Sequence, residues 1–308
     1  MKFKITQFHP KKDICLDISE REYNEISSSK EALIEILFLE QKFDIVLENF
    51  LEFEMELLKL SNNNMVYRDL EYGKFQNEIN TINRRVINLL TACRLYIDHS
   101  KHHLSKIYQE DSDIPDKIKN EFSIQYESVF GYRVLEALRN YVQHRGFPIH
   151  SCSYNSKWVG EITESDSKLL HAVTPYIDVY KLREDGKFKK ETLNEMEDLG
   201  EKHDIKPLVR GYISSISKVH NNLRTLISQD KENWESIIHQ NITSFKVAHG
   251  IDGVVFGLTA IKIDENADCS SSVYFSTNLI EHRVKLERKN QRHVALESSY
   301  VSSEVIVK

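Results

Sequence analysis

The scarcity of helix breakers constrains this chain most. Ten glycines and five prolines are spread over 308 residues. That is too few for a loop-rich β architecture and leaves room for long uninterrupted helices. Apolar residues recur at spacings of three and four through the first half. A helix is expected over about 29–62, opened by the capping box Ser28-x-x-Glu31, carrying Leu33, Leu37, Ile45, Leu47, Phe50, Leu51, Leu57 and Leu58, and closed by Ser61-Asn62-Asn63-Asn64. A second is expected over about 72–109, with Ile79, Ile82, Val86, Leu89, Leu90, Cys93, Tyr96 and Ile97. A third, over about 114–145, starts after Asp113 and buries Val134, Leu135, Leu138, Tyr141 and Val142. Three long helices joined by short connections should pack antiparallel as a bundle.

The texture changes after Pro148. Residues 149–185 alternate like strands of a hairpin or small sheet, with a turn at Asp185-Gly186. Helical pattern returns over 186–246, broken near Pro207. The last part, 247–308, reads as a strand (GVVFGLTAIKI), a basic helix (LIEHRVKLERKNQ) and an alternating tail. Residues 1–28 form an extension with room for short strands, and 29–148 are the bundle core. The fold class expected is mainly α: a helical bundle with a small β insertion and a mixed α/β C-terminal part.

A net charge of −6 argues against a surface that grips nucleic acid all over, while leaving a local basic groove open. The charge is uneven. Residues 31–60 hold eight acidic side chains against Lys42 and Lys59. Residues 71–109 hold Lys74, Arg84, Arg85, Arg94, Lys101 and Lys106 against Glu71, Glu78 and Asp98, and are the better neighbourhood for a phosphate. The four cysteines are far apart in sequence, without a CxxC, and read as free thiols of a reducing cytosol. No segment reads as a signal peptide or membrane span, so a cytoplasmic protein without membrane association is expected.

The chemistry concentrates in ALRNYVQHRGFP. Arg139, Asn140 and His144 lie within six residues at the end of the third helix. Arginine is shaped to hold phosphate, and histidine moves protons near neutral pH. Asn140 and His144 are four apart and share a helix face, as do Arg139 and Gln143. With Glu136 they make a polar strip beside the apolar one. Such a strip is either a plain solvent face or a site.

This run resembles the Arg-x(4–6)-His motif of the HEPN superfamily of helical RNA-acting domains. Four residues separate Arg139 from His144, a polar residue follows the arginine, and the motif closes a long bundle helix. The resemblance covers roughly 29–146; residues 149–308 match no family pattern, and 186–246 could supply the remaining bundle helices. It implies a HEPN-like bundle and metal-independent endoribonuclease activity, with no cofactor and no metal. It also implies a composite site shared by two copies of a homodimer, and a toxin or phage-defence role with an antitoxin or regulatory protein as partner. The 2′-OH would attack the adjacent phosphate, giving a 2′,3′-cyclic phosphate and a 5′-hydroxyl. His144 would be general base or acid, Arg139 would hold the phosphate, and Asn140 would orient His144 or a phosphate oxygen. Arg145, Arg133, Gln143, Arg94 and His102 are candidate RNA contacts. The alternative implied is a non-catalytic HEPN-like module that dimerises or binds a nucleotide or partner.

Two further clusters draw attention. Asp98-His99-Ser100-Lys101-His102-His103 offers pairs at metal-ligand spacing, with a solvated helix end as the simpler reading. Arg283, Lys285, Arg288, Lys289 and Arg292 are interleaved with Glu281 and Glu287 and read as an exposed helix.

Overall fold

A computed structural model describes residues 1–7, 14–67, 72–108, 112–159, 167–265, 268–291 and 295–301. The chain is mainly helical with two small antiparallel sheets, and forms two compact units. The first comprises Met1–Gln41, His99–Lys117 and Asn221–Gln291; the second comprises Lys42–Asp98, Ile118–His220 and Arg292–Lys308. Arg292 and the tail from 302 lie outside the described residues. Among the described residues no helix is long and apolar enough to cross a membrane.

In the first unit, β1 (Lys2–Gln7) and β2 (Ile14–Ile18) pair with β6 (Leu258–Ile263) and β7 (Cys269–Phe275) in the order β2-β1-β6-β7. The chain start is therefore not a separate extension: Ile5 sits opposite Ala260, and both are fully buried. Helices α8 (Ser228–His249) and α9 (Asn278–Lys289) belong to this unit, with Phe245, Ile238 and Ile280 in its core. The basic helix is less exposed than its sequence suggests, because Arg283 is buried in an ion network with Glu235 and Glu287.

Helix α1 (Glu20–Tyr67) starts well before residue 29 and runs past the asparagines at 62–64. Its capping box is Ser19-x-x-Glu22, not Ser28-x-x-Glu31. The Glu22 amide donates to Ser19 Oγ at 3.1 Å, and Glu22 Oε2 accepts from the Ser19 amide at 2.6 Å. The Ser19 amide, and then the Ser19 hydroxyl donating to the same oxygen at 2.7 Å, hold the Glu22 carboxyl below its ordinary range. Helix α2 (Tyr72–Ile107) agrees with the expected second helix.

In the second unit α1 and α2 run antiparallel, bridged by Arg85 with Glu52 and Glu56. The expected third helix is two. α3 (Ile114–Ser128) and α4 (Phe130–His144) are separated at Val129, whose backbone is extended. α7 (Ile205–Leu226) packs against α4 just past the break. Gly131 packs so close to α7 that an added Cβ would lie 2.7 Å from the Leu208 carbonyl oxygen. Arg133 closes the end of α3, donating through Nη1 to the carbonyls of Tyr126 and Glu127, while the rest of its guanidinium clasps Glu195.

β3 (Ser151–Val159), β4 (Lys168–Asp178) and β5 (Lys202–Asp204) form the second sheet. Helices α5 (Val179–Asp185) and α6 (Lys190–Leu199) sit between β4 and β5. Pro207 falls in the first turn of α7, where a missing N–H costs nothing, so the helical run breaks at β5 instead. The sheet and these helices make a crossover, and its consequence is a local departure from antiparallel packing. The contacts Gly131–Leu208 and Glu136–Tyr212 rise together in number, so α4 and α7 run parallel. The core between these helices includes Phe53, Leu89, Tyr96, Leu135, Leu138, Tyr212 and Ile216.

Candidate functional site

α4 turns Tyr132, Val134, Leu135, Ala137, Leu138 and Tyr141 into the core, so Arg133, Glu136, Arg139, Asn140, Gln143 and His144 fall on the remaining arc. That polar strip is not uniform. At its N-terminal end the side chains are committed. Arg133 is held by Glu195 and the α3 carbonyls, which commits its guanidinium within the fold. Glu136 accepts from the Tyr212 hydroxyl at 2.5 Å and from Arg94 Nη1 at 3.3 Å. Arg94 is further tied to Asp98 at 2.7 Å, and two carboxylates leave it little net charge for a phosphate. Burial is the main cause, and Glu136 a lesser one, that pushes the Tyr212 hydroxyl well above its ordinary range.

The C-terminal turn is different. Asn140, Gln143, His144 and Arg145 are all exposed. Arg139 is partly buried. Its Nη1 donates to Asn140 Oδ1 at 3.0 Å, and its Nε is shielded with no hydrogen-bond partner. Asn140 thus holds one edge of the Arg139 guanidinium through its Oδ1. The helix C-terminus is the negative end of the backbone dipole. An anion here would be held by Arg139, His144 and Arg145 through their side chains, without help from backbone amides.

The chain leaving α4 is fixed at once. The Arg145 amide donates to the Tyr141 carbonyl, and the Ile149 amide and carbonyl are both bonded by the buried Asn83 carboxamide of α2. Gly146 permits the turn: a Cβ there would lie 2.6 Å from the Tyr141 hydroxyl. The exposed turn is thus mounted on a rigid support from both sides.

A second histidine beside this turn was hidden in the strand pattern. His150 is half-buried, with its ring 6.5 Å from that of Tyr141. Its Nδ1 accepts the Asp178 backbone N–H at 3.1 Å, so the neutral ring carries its proton on Nε2. Burial pulls its pKa below the ordinary value, Lys181 pulls the same way, and Asp178 opposes.

The other candidates separate. His102 is exposed on the part of α2 that belongs to the first unit. His103, next to it, turns inward onto Glu35, which also takes Lys106. Among the described residues no group of three His, Cys, Asp or Glu side chains is placed to hold a metal ion.

No protein-family model matches this chain, and neither the curated proteins nor the solved structures contain a match to it.

Proposed function

We propose that the exposed C-terminal turn of α4 is the cutting site of a HEPN-type, metal-independent endoribonuclease. One observation carries this reading: an arginine held by its neighbouring asparagine and an exposed histidine lie near the C-terminal end of one helix whose other face is packed. The RNA 2′-OH is an internal nucleophile, so the protein need supply only proton transfer and charge stabilisation. His144 takes or gives the proton. Arg139, oriented by Asn140, meets the phosphate and offsets the charge that builds on its oxygens. Arg145 and Gln143, exposed on the same turn, extend the contact to the RNA strand. The bond from the 2′ oxygen to phosphorus forms as that to the 5′ oxygen breaks, leaving a 2′,3′-cyclic phosphate and a 5′-hydroxyl. One His144 cannot serve as base and acid in the same turnover, so the second comes from another copy across a two-fold axis. A cytoplasmic toxin or phage-defence effector, restrained by an antitoxin or regulatory protein, fits this activity.

The test is RNA cleavage in EDTA by the wild type and by His144→Ala. Loss of one general acid–base group should slow cleavage by about 10²–10⁴-fold. Equal rates in the two proteins would remove the assignment.

A further inference from the structure

Helix α1 is apolar on two sides. Phe53, Leu57 and Leu60 are buried in the core of the second unit. Roughly opposite them, about 160° around the helix at ~100° per residue, a second stripe faces outward. Leu51 is 50% exposed, Met55 58%, Leu58 40% and Met65 50%, and the remaining position, Asn62, is also exposed. The intervals from 51 to 55, 58, 62 and 65 are four, three, four and three. An isolated surface leucine needs no explanation, but an outward seam held to a period of 3.5 over this length does. Ile45, Val66 and Tyr67, also exposed on α1, lie outside this register.

The register says what fits. With Leu51, Leu58 and Met65 at the d positions, Met55 and Asn62 take the a positions. Leucine at d suits a two-stranded pair, and a single asparagine at a specifies register and strand number, because two amides satisfy each other only when they meet. Glu54 then stands at g and Lys59 at e, so the flanks of two in-register copies place a carboxylate against an ammonium on each side. Lys59 can reach outward: its side chain is 65% exposed, and its ion pair among the described residues is with Glu56. Glu54 is fixed in position by Arg210, through bonds of 2.7 and 2.8 Å.

We infer that this seam pairs with the same seam of a second copy, in register and with the two helices parallel, Asn62 meeting Asn62 across the axis. The inference does not rest on the ribonuclease reading, since the seam contains none of Arg139, Asn140 or His144.

The full-length protein is tested by sedimentation at micromolar concentrations, beside Leu51→Glu/Leu58→Glu. The wild type should sediment at twice the chain mass, and the variant at the chain mass with unchanged helical circular dichroism, because both positions are exposed. A Met55→Cys variant, in a background with the exposed Cys15 and Cys269 changed to serine, should form an inter-chain disulfide on mild oxidation. A wild type that stays monomeric, a double variant that still dimerises, or a Met55→Cys protein that does not cross-link would each overturn the pairing. A dimer that cuts no RNA keeps this inference and removes the ribonuclease reading; an RNA-cutting protein whose seam variant still dimerises does the reverse.

Discussion

Arg139 is bonded to its own neighbour: Nη1 of the guanidinium donates to Oδ1 of Asn140 over 3.0 Å, near the C-terminal end of a helix whose inner face is packed. The bond uses one edge of the fork, and among the described residues Nη2 makes no hydrogen bond. It fixes the direction of a cation that would otherwise sweep through its rotamers. The adjacent asparagine therefore has a structural reason to be there, whatever ligand the arginine meets.

Asn140→Ala should consequently act through Arg139. On the ribonuclease reading, cleavage falls by about 10²-fold, the scale of a misplaced catalytic group. Because Asn140 is exposed, unfolding stability should stay within about 0.5 kcal/mol of wild type. Cleavage rate and urea midpoint measured on the same preparation check both. A variant that cuts as fast as wild type would show that the Arg139–Asn140 bond serves no ligand.

Arg133 makes the opposite prediction. It lies six residues before Arg139 in sequence, yet its guanidinium is spent on Glu195 and two carbonyls at the end of α3. Arg133→Ala leaves those acceptors without their donor. It should cost about 1–3 kcal/mol in a urea titration, while the salt dependence of RNA binding stays as in wild type. A reduced salt slope with unchanged stability would instead return Arg133 to the RNA-binding surface.

The third helix shows where reading the sequence succeeds and where it stops. The apolar positions Val134, Leu135, Leu138 and Tyr141 follow from their spacing, and so does the strip opposite them. The break at Val129 does not. Apolar periodicity runs through it without a proline, and the close approach of α7 just past it comes from far along the chain. Pro207 errs the other way, since a proline in a helix's first turn looks in sequence like a break. The pairing of β1 with β6 spans most of the chain and leaves no local trace. Within the strip, residue types marked Arg139, Asn140 and His144. Which pairs with which depends on rotamers and on partners such as Tyr212, Glu195 and Arg94. His150 escaped because its sequence neighbours alternate as a strand, and its meaning comes only from the Asp178 amide.

Gly131→Ala tests the close packing of α4 on α7. Alanine is the better helix former by about 1 kcal/mol, so an exposed helical site would gain stability. Here the new methyl would meet the Leu208 carbonyl oxygen at 2.7 Å, backbone against side chain, and neither has room to yield. Overpacking of this kind typically costs about 1–3 kcal/mol. The net expectation is destabilisation, read as a lower urea midpoint at an unchanged slope. A rise in the midpoint would mean that α4 and α7 are not held so closely.

His150 gives the fold a pH dependence of known sign. In the unfolded chain its imidazole takes a proton as pH falls through about 6.5. In the folded chain Nδ1 is occupied by the Asp178 amide, the ring is half-buried and Lys181 is near, so the proton binds only at lower pH. The unfolded state thus binds more protons below about 6.5, and stability contributed by neutral His150 is intact above that pH and lost as pH falls beneath it. Asp178 acts against the other two influences and limits the effect. Each pKa unit of depression is worth about 1.4 kcal/mol. His150→Asn keeps an oxygen where Nδ1 accepts and removes the titration. Urea midpoints at pH 7.5 and 5.5 should therefore fall further apart in the wild type than in His150→Asn, the difference between the two proteins cancelling the other histidines. Equal pH dependence in both would mean that the Asp178 amide does not hold the ring neutral, and that His150 is free to carry a proton beside the α4 turn.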